Sequence, residues 1–276
     1  MLNRVKEKIS VLESELKYRV ELSQHQKNLP LLGKGDRLIS ESLKRDGAYI
    51  TSLADLGLAS TTQLLQAANS LLPTMATPRD SHAGYKLPQI YTVTDLPEFF
   101  AWGIEARLQN IIENYIGLPI AFHGVHLRKD FPNDQQLQTL LWHKDAEDRR
   151  MIKVIIYLHD VTDKHGPFEY VPRRYNLLAK LSDYRIDYEL LQSNYLGIND
   201  EKLNKIIPKS AWKSCPGKAG TVIFVDPRNI LHHGTVRIQE RSTLFFTYTA
   251  NLPKRPELCT QYNDDTFAKP SRQLTA

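Results

Sequence analysis

The chain has 276 residues, 41% of them hydrophobic, with 36 Lys and Arg against 31 Asp and Glu for a formal net charge of +5. This is a folded protein of ordinary composition, long enough for one large domain or two small ones with a sizeable core. Two cysteines, Cys215 and Cys259, exclude a disulfide scaffold and favour a reducing compartment. No dense basic tract is joined to a reading motif, which argues against nucleic acid as a partner. The start "MLNRVKEKISVLESELKYRV" lacks the apolar core of a signal peptide, and no window holds 18 consecutive apolar residues, so the expectation is a cytoplasmic protein with no membrane insertion.

Val5, Ile9, Leu12, Leu16, Val20 and Leu22 recur at roughly helical spacing and predict an amphipathic helix over Asn3–Gln24. Its apolar stripe packs against the main body or meets a second copy, which leaves monomer and homodimer both open. "SLADLGLASTTQLLQAANSLL" reads as a second helical region, broken by Gly57 and stopped by Pro73 and Pro78. "DLPEFFAWGIEARLQNIIENYIG" reads as a third, with Asp95 as N-cap, Pro97 in the first turn and Gly117 as the exit. Residues 1–118 are therefore expected to be mostly helical.

After Pro119 the texture changes to short apolar or alternating runs: "IAFHGVHL", "QTLLWH", "MIKVIIYL", "PFEYVP", "TVIFVD" and "STLFFTYTA". A helical excursion between Tyr175 and Gly197 interrupts them. Without long helical crossovers between all the strands, residues 119–252 suit an antiparallel sandwich or barrel, not a doubly wound parallel sheet. The expected class is mainly β with helical additions, and residues 1–276 are read as a single catalytic domain. The tail, 253–276, reads as irregular.

In "LWHKDAED", His143 and Asp145 stand two apart, so an extended backbone turns both to one face. A further imidazole comes from His232 or His233, just before Gly234. Two imidazoles and one carboxylate hold a divalent transition metal while leaving positions open, as a non-haem iron oxygenase requires. The plainer reading of each motif is a polar surface turn. Other histidines fit less well: His123 and His126 are three apart in a strand, and His159 and His165 flank a polar loop. Trp142 and Trp212 are candidates for the pocket or the core.

With "WHKD", "KVIIYLHDVTDKHGPFEYVP" and "GTVIFVDPRNILHHGTVRIQERSTLFF" in this order, the chain resembles the phytanoyl-CoA dioxygenase-like branch of the Fe(II)- and 2-oxoglutarate-dependent oxygenases, over roughly Ile120 to Ala250. The resemblance implies a double-stranded β-helix core, of jelly-roll or cupin shape, preceded by helices. It implies Fe(II) held by His143, Asp145 and His232, because the family's His-x-Gly unit falls on His232 and Gly234. Arg241, nine residues on, would grip the far carboxylate of 2-oxoglutarate, with Thr243 on the same strand face adding a hydrogen bond. Arg237 is the competitor, with solvent exposure as its plainer reading.

On the strand Met151–Leu158, Ile152, Val154, Ile156 and Leu158 form an apolar face. Lys153 and Tyr157 on the other face would reach the cosubstrate, or Lys153 would lie at an edge near solvent, since a buried lysine without a partner is costly. The implied activity is O2-dependent hydroxylation of a small or medium-sized organic molecule, with an anionic group among its features, giving succinate and CO2. Halogenating relatives replace the carboxylate ligand, whereas Asp145 is retained. In "VPRRYN", Arg173 and Arg174 depart from the family's small residues and would meet an acidic group on the substrate. The competing readings are a binding module without activity and a cupin-like hydrolase or isomerase that uses no 2-oxoglutarate.

Overall fold

The computed structural model describes residues 2–75, 79–80, 84–174 and 177–270. Helix α1 (Leu2–His25) forms where its periodicity places it. Tyr18 and Leu22 pack against the core, and His25 is paired with Glu113 at 2.7 Å. Leu12, Leu16 and Val20 stay exposed. Helix α2 (Lys34–Asp46) and strand β1 (Ala48–Ser52) follow, both missed by apolar periodicity because α2 buries two serines, Ser40 and Ser42, alongside Ile39 and Leu43. Gly57, with φ of 54°, ends α3 (Leu53–Leu56) and precedes α4 (Thr61–Leu71), after which Pro73 lies in a short 3-10 turn. Pro78 lies outside the described residues.

Three short strands follow, β2 (Arg79–Asp80), β3 (Lys86–Leu87) and β4 (Gln89–Thr92). The third helical region is two helices, α5 (Pro97–Gly103) and α6 (Ala106–Ile116), with Gly117 as the left-handed exit. Leu96 is the N-cap residue, correcting the expectation for Asp95, which pairs instead with Lys269. The break at Gly103 has a cause. A Cβ there would collide with the Phe122 ring, and the Gly103 carbonyl accepts a hydrogen bond from Tyr248 at 2.8 Å.

The remaining elements are β5 (Ile120–Asp130), β6 (Met151–Tyr157), β7 (Phe168–Tyr170), α7 (Leu177–Gln192), α8 (Asp200–Asn204), β8 (Lys213–Cys215), β9 (Thr221–Val225), β10 (His232–Gly234) and β11 (Arg241–Ala250). Tyr175 and Asn176, where the helical excursion was expected to start, lie outside the described residues. "QTLLWH" is not a strand. Gln138 has a φ of 52° and opens a 3-10 turn, after which Trp142 and His143 make only single bridges, to Ile198 and His232.

Six strands form an antiparallel sheet in the order β1-β9-β6-β11-β5-β4, and three form a second, β10-β7-β8. More of the described residues lie in helices than in strands, so "mainly β" becomes a mixed α and β fold. Ile152, Val154 and Ile156 of β6 join Phe224, Leu244 and Phe246 against Leu43, Phe99, Trp102 and Ile112 of the helices. The opposite face of the same strands, with Ile155, Tyr157 and Val225, packs on Phe168, Tyr170 and Cys215 of the smaller sheet. A sheet covered on both faces needs this two-sided apolar pattern.

Beyond β11 the tail is docked. His126 donates to the Gln261 carbonyl at 3.0 Å, and the Thr92 amide donates to Ala268 at 2.9 Å. Residues 271–276 lie outside the described residues. Gly124, at φ of 144° beside a register shift between β5 and β11, lets the tail approach. A Cβ at Gly124 would collide with the Thr94 hydroxyl and the Tyr262 carbonyl, which are hydrogen-bonded to each other at 2.6 Å. Gly124→Ala is therefore expected to lower stability by about 2 kcal/mol, seen as a lower urea midpoint with unchanged slope. No helix among the described residues is long and apolar enough to cross a membrane.

Candidate metal centre

The backbones of His143 and His232 exchange hydrogen bonds of 3.0 and 3.1 Å, and their rings lie 4.3 Å apart. Asp145 follows, fixed by its amide donating to the Pro227 carbonyl at 2.9 Å. Asp145 Oδ1 stands 3.8 Å from His143 Nε2 and 3.7 Å from His232 Nε2, beyond hydrogen-bonding reach. One ligand atom from each residue lies within 4.8 Å of the others.

Carbonyl groups only accept, so His143 Nδ1–H donates to Leu141 at 2.7 Å and His232 Nδ1–H to Ile230 at 3.4 Å. That tautomer leaves a lone pair on each Nε2, facing Asp145. Burial is the largest cause holding both ring pKa values below the usual histidine range, well below for His232. The rings are ready to bind a cation without first releasing a proton.

Strand alternation sends His233 the other way. Its ring stacks on Trp142 at 3.8 Å, donates from Nδ1 to the Leu140 carbonyl at 2.8 Å, and pairs Nε2 with Glu169 at 3.0 Å. His232 is thus the histidine brought into the cluster.

Lys153 lies in the interior of the six-stranded sheet, not at an edge. Its Nζ donates to Asp145 Oδ2 at 2.6 Å and lies 3.7 Å from Glu147 Oε1. Burial pulls its pKa down, but Asp145, Tyr262 and Glu147 outweigh that and hold it well above the usual lysine range. Tyr157 does not line the cavity: its hydroxyl donates to the Cys215 carbonyl at 2.8 Å and accepts from the Phe168 amide at 3.0 Å.

Arg241 is 5% exposed, and its Nε and Nη2 donate to Asp130 Oδ2 at 3.2 and 2.9 Å. Its Nη1 donates to the Gly166 carbonyl. Arg237 and Arg128 reach Asp130 Oδ1 at 2.9 and 2.8 Å. Arg237 is buried, which overturns the reading of it as exposed. Burial opposes ionisation of Asp130, yet the three guanidinium groups prevail and depress its pKa. Burial in turn lowers Arg237 to about 10. Three cations on one carboxylate leave positive charge to spare. Arg237 Nε and Thr243 Oγ1 are buried without a hydrogen-bond partner among the described residues. Thr243 shares a β11 face with Arg241 and Phe245. Neither Arg237 nor Thr243 lines the cavity; Arg128 and Arg241 do, and the excess positive charge they share suits an anion.

The cluster and Arg241 open into one cavity of about 590 Å³, whose apolar wall includes Ile90, Phe168, Phe245 and Phe267. His143, Asp145 and Glu147 line it, while the alternate residues Lys144, Ala146 and Asp148 line a second cavity of about 1000 Å³. Arg173 and Arg174 face that second cavity, and Arg173 pairs with buried Asp226 at 2.7 Å. His123 bonds Thr249 at 2.7 Å, and His159 and His165 sit together on a loop, away from the cluster. Trp142 and Trp212 pack on each other within a core cluster. Sequence reasoning missed Asp130, Glu147 and Tyr262. Only Asp130 left a signal, in its alternation with Arg128 at the end of a strand.

His126 also lines the cavity, and burial, only partly offset by its hydrogen bond to Gln261, holds its pKa down at about 4 against the ordinary 6.5. The folded state keeps this ring neutral while the unfolded chain protonates it, so its contribution is complete above pH 6.5 and falls away toward pH 4. His126→Phe should flatten the loss of stability between pH 7 and pH 5, measured by urea unfolding.

No protein-family model matches this chain, and no curated protein matches it. Solved structures do. EctD from S. alaskensis with bound Fe aligns with a TM-score of 0.54 at 18% identity, over 81% of this chain and 79% of that one. The epimerase SnoN in complex with Fe3+, alpha ketoglutarate and nogalamycin RO aligns at 0.54 and 16%, over 86% and 93%. The non-heme alpha ketoglutarate dependent carbocyclase SnoK, from nogalamycin biosynthesis, aligns at 0.51 and 15%, over 79% and 84%. At these identities the likeness establishes the fold. The two antiparallel sheets resemble the double-stranded β-helix core of the Fe(II)- and 2-oxoglutarate-dependent oxygenases, and His143, Asp145 and His232 form a two-histidine, one-carboxylate facial triad on it.

Proposed function

We propose that this chain is a non-haem Fe(II)- and 2-oxoglutarate-dependent dioxygenase that hydroxylates an unactivated C–H bond of a small or medium-sized organic molecule, releasing succinate and CO2. The observation that carries the reading is the convergence of His143 Nε2, Asp145 Oδ1 and His232 Nε2 on one point of a cavity that also contains Arg241. These three residues would hold Fe(II), which together with 2-oxoglutarate supplies activation of O2.

The chain's own residues do the positioning. Leu141 and Ile230 fix the tautomers of the two rings through their carbonyls. Arg241, with Thr243 beside it, would take the far carboxylate of the cosubstrate, while Arg128 and Arg237 keep Asp130 neutralised. Phe168, Phe245 and Ile155 keep water away from that wall. Arg128 lines the cavity, and its Nη2 has the Thr139 hydroxyl as partner at 3.0 Å, which suits an anionic group on the substrate.

We read the two sheets as a double-stranded β-helix, and residues 1–276 as one catalytic domain, supported by a core shared between helices and sheet. The free thiols of Cys215 and Cys259 suit a cytoplasmic location.

Anaerobic addition of Fe(II) and 2-oxoglutarate tests the function. A weak visible charge-transfer absorption that needs both components is expected. Metal binding without any absorption change on adding 2-oxoglutarate would favour the second reading, a cupin-like hydrolase or isomerase, against which the arginine cluster argues.

A further inference from the structure

Lys153 is the sole lysine among the described residues lining the metal cavity. Its backbone is held on both sides, opposite Val225 of β9 and Thr247 of β11. The ammonium is confined by what surrounds it: Asp145 Oδ2 at 2.6 Å, Glu147 Oε1 at 3.7 Å and the Tyr262 ring at 5.7 Å. Glu147 is itself fixed. Its Oε1 accepts from the Tyr262 hydroxyl at 2.7 Å and its Oε2 from the Ala146 amide at 2.9 Å.

A carboxylate can give a metal one oxygen or two. In Asp145 the oxygens are already divided, Oδ1 toward the imidazole nitrogens and Oδ2 on the lysine. We propose that Lys153 is a positioning residue that restricts Asp145 to ligation through Oδ1, so that a six-coordinate ion keeps three open positions. The proposal rests on the oxygenase reading and deepens it. Three positions are what a keto acid bound through two atoms, plus O2, requires; an aspartate ligating through both oxygens would leave two. A cation beside a metal ion costs repulsion, which the facing carboxylates of Asp145 and Glu147 offset. A neutral hydrogen-bond donor would hold Oδ2 less firmly than a charge-assisted one.

The test is binding of Mn(II) to the apoprotein, read by water-proton relaxation, which scales with the number of waters on the ion and needs no turnover. In Lys153→Met, Oδ2 is released to the ion and one water is lost. The relaxation enhancement per bound Mn(II) is expected to fall to about two-thirds of wild type, three positions becoming two. Lys153→Arg, which keeps a cationic donor, should retain the wild-type value. An unchanged enhancement in a folded, Mn(II)-loaded Lys153→Met would overturn the proposal and leave the oxygenase reading standing.

Should that variant not fold, a crystal structure of the Mn(II)-loaded wild type decides the matter. Oδ1 alone on the ion with Nζ on Oδ2 is the expected result, and both oxygens on the ion overturns it. Wild type that takes up no Mn(II) would sink the oxygenase reading and this proposal together.

Discussion

Asp145→Ala is expected to bind divalent metal at least about a hundredfold more weakly than wild type. The substitution removes the only carboxylate of the triad and leaves two neutral imidazoles. It also strips Lys153 of its nearest counter-charge, 2.6 Å away, so an ammonium then faces the incoming cation. Both changes act in one direction. Asp145→Asn, which keeps the shape and one acceptor oxygen, should fall between the two. Anaerobic equilibrium dialysis with Fe(II) or Mn(II) measures the affinities, and a near-wild-type affinity in Asp145→Ala would contradict the assignment of the centre. Glu147, 3.7 Å from Lys153, is close enough to take part of the abandoned charge, so the variant should fold.

The second large effect concerns Arg241. Arg241→Ala should weaken 2-oxoglutarate binding by about two orders of magnitude or more, because truncating one partner of a buried, charge-assisted pair costs about 2–5 kcal/mol and each 1.4 kcal/mol is tenfold. Metal affinity should be unchanged, since Arg241 contacts none of the three ligands among its hydrogen bonds. Asp130 retains Arg128 and Arg237, so the strand ends stay paired. Arg241→Lys should restore only part of the affinity, because an ammonium cannot present a planar fork. Thr243→Val should cost about tenfold, the loss of one hydrogen bond. Titrating the Fe(II) form with 2-oxoglutarate and following the visible absorption separates these cases. Loss of metal along with cosubstrate in Arg241→Ala would place the arginine's role elsewhere.

The long strands were legible because their alternation is strong: in β6 the even residues meet the helices and the odd ones the cavity side. The triad was legible because His143 and Asp145 share a face by spacing alone. Choosing His232 over His233 needed the resemblance, because β10 is three residues long, too short for alternation to show in sequence. α2 and β1 were hidden by polar residues buried at packed positions. Asp130 and Glu147 escaped notice for a different reason. Their partners, Arg241 and Tyr262, lie 111 and 115 residues away, and neither the alternation of Asp130 with Arg128 nor the residues around Glu147 announce such a distant pairing. Tyr157 alternates onto the cavity side as the pattern requires, but two backbone groups occupy its hydroxyl.

Gln261, Tyr262 and Phe267 wall the cavity although they follow the last strand. The bond between exposed Lys254 and Arg255 lies upstream of all three, so a trypsin-like nick there would leave this wall held only by its noncovalent contacts, such as His126 on Gln261 and Thr94 on Tyr262, while sparing His143, Asp145, His232 and Arg241. On the proposed function, protein nicked in this way keeps the residues that would hold metal and 2-oxoglutarate, and any loosening of the wall would show as cosubstrate consumed without matching product.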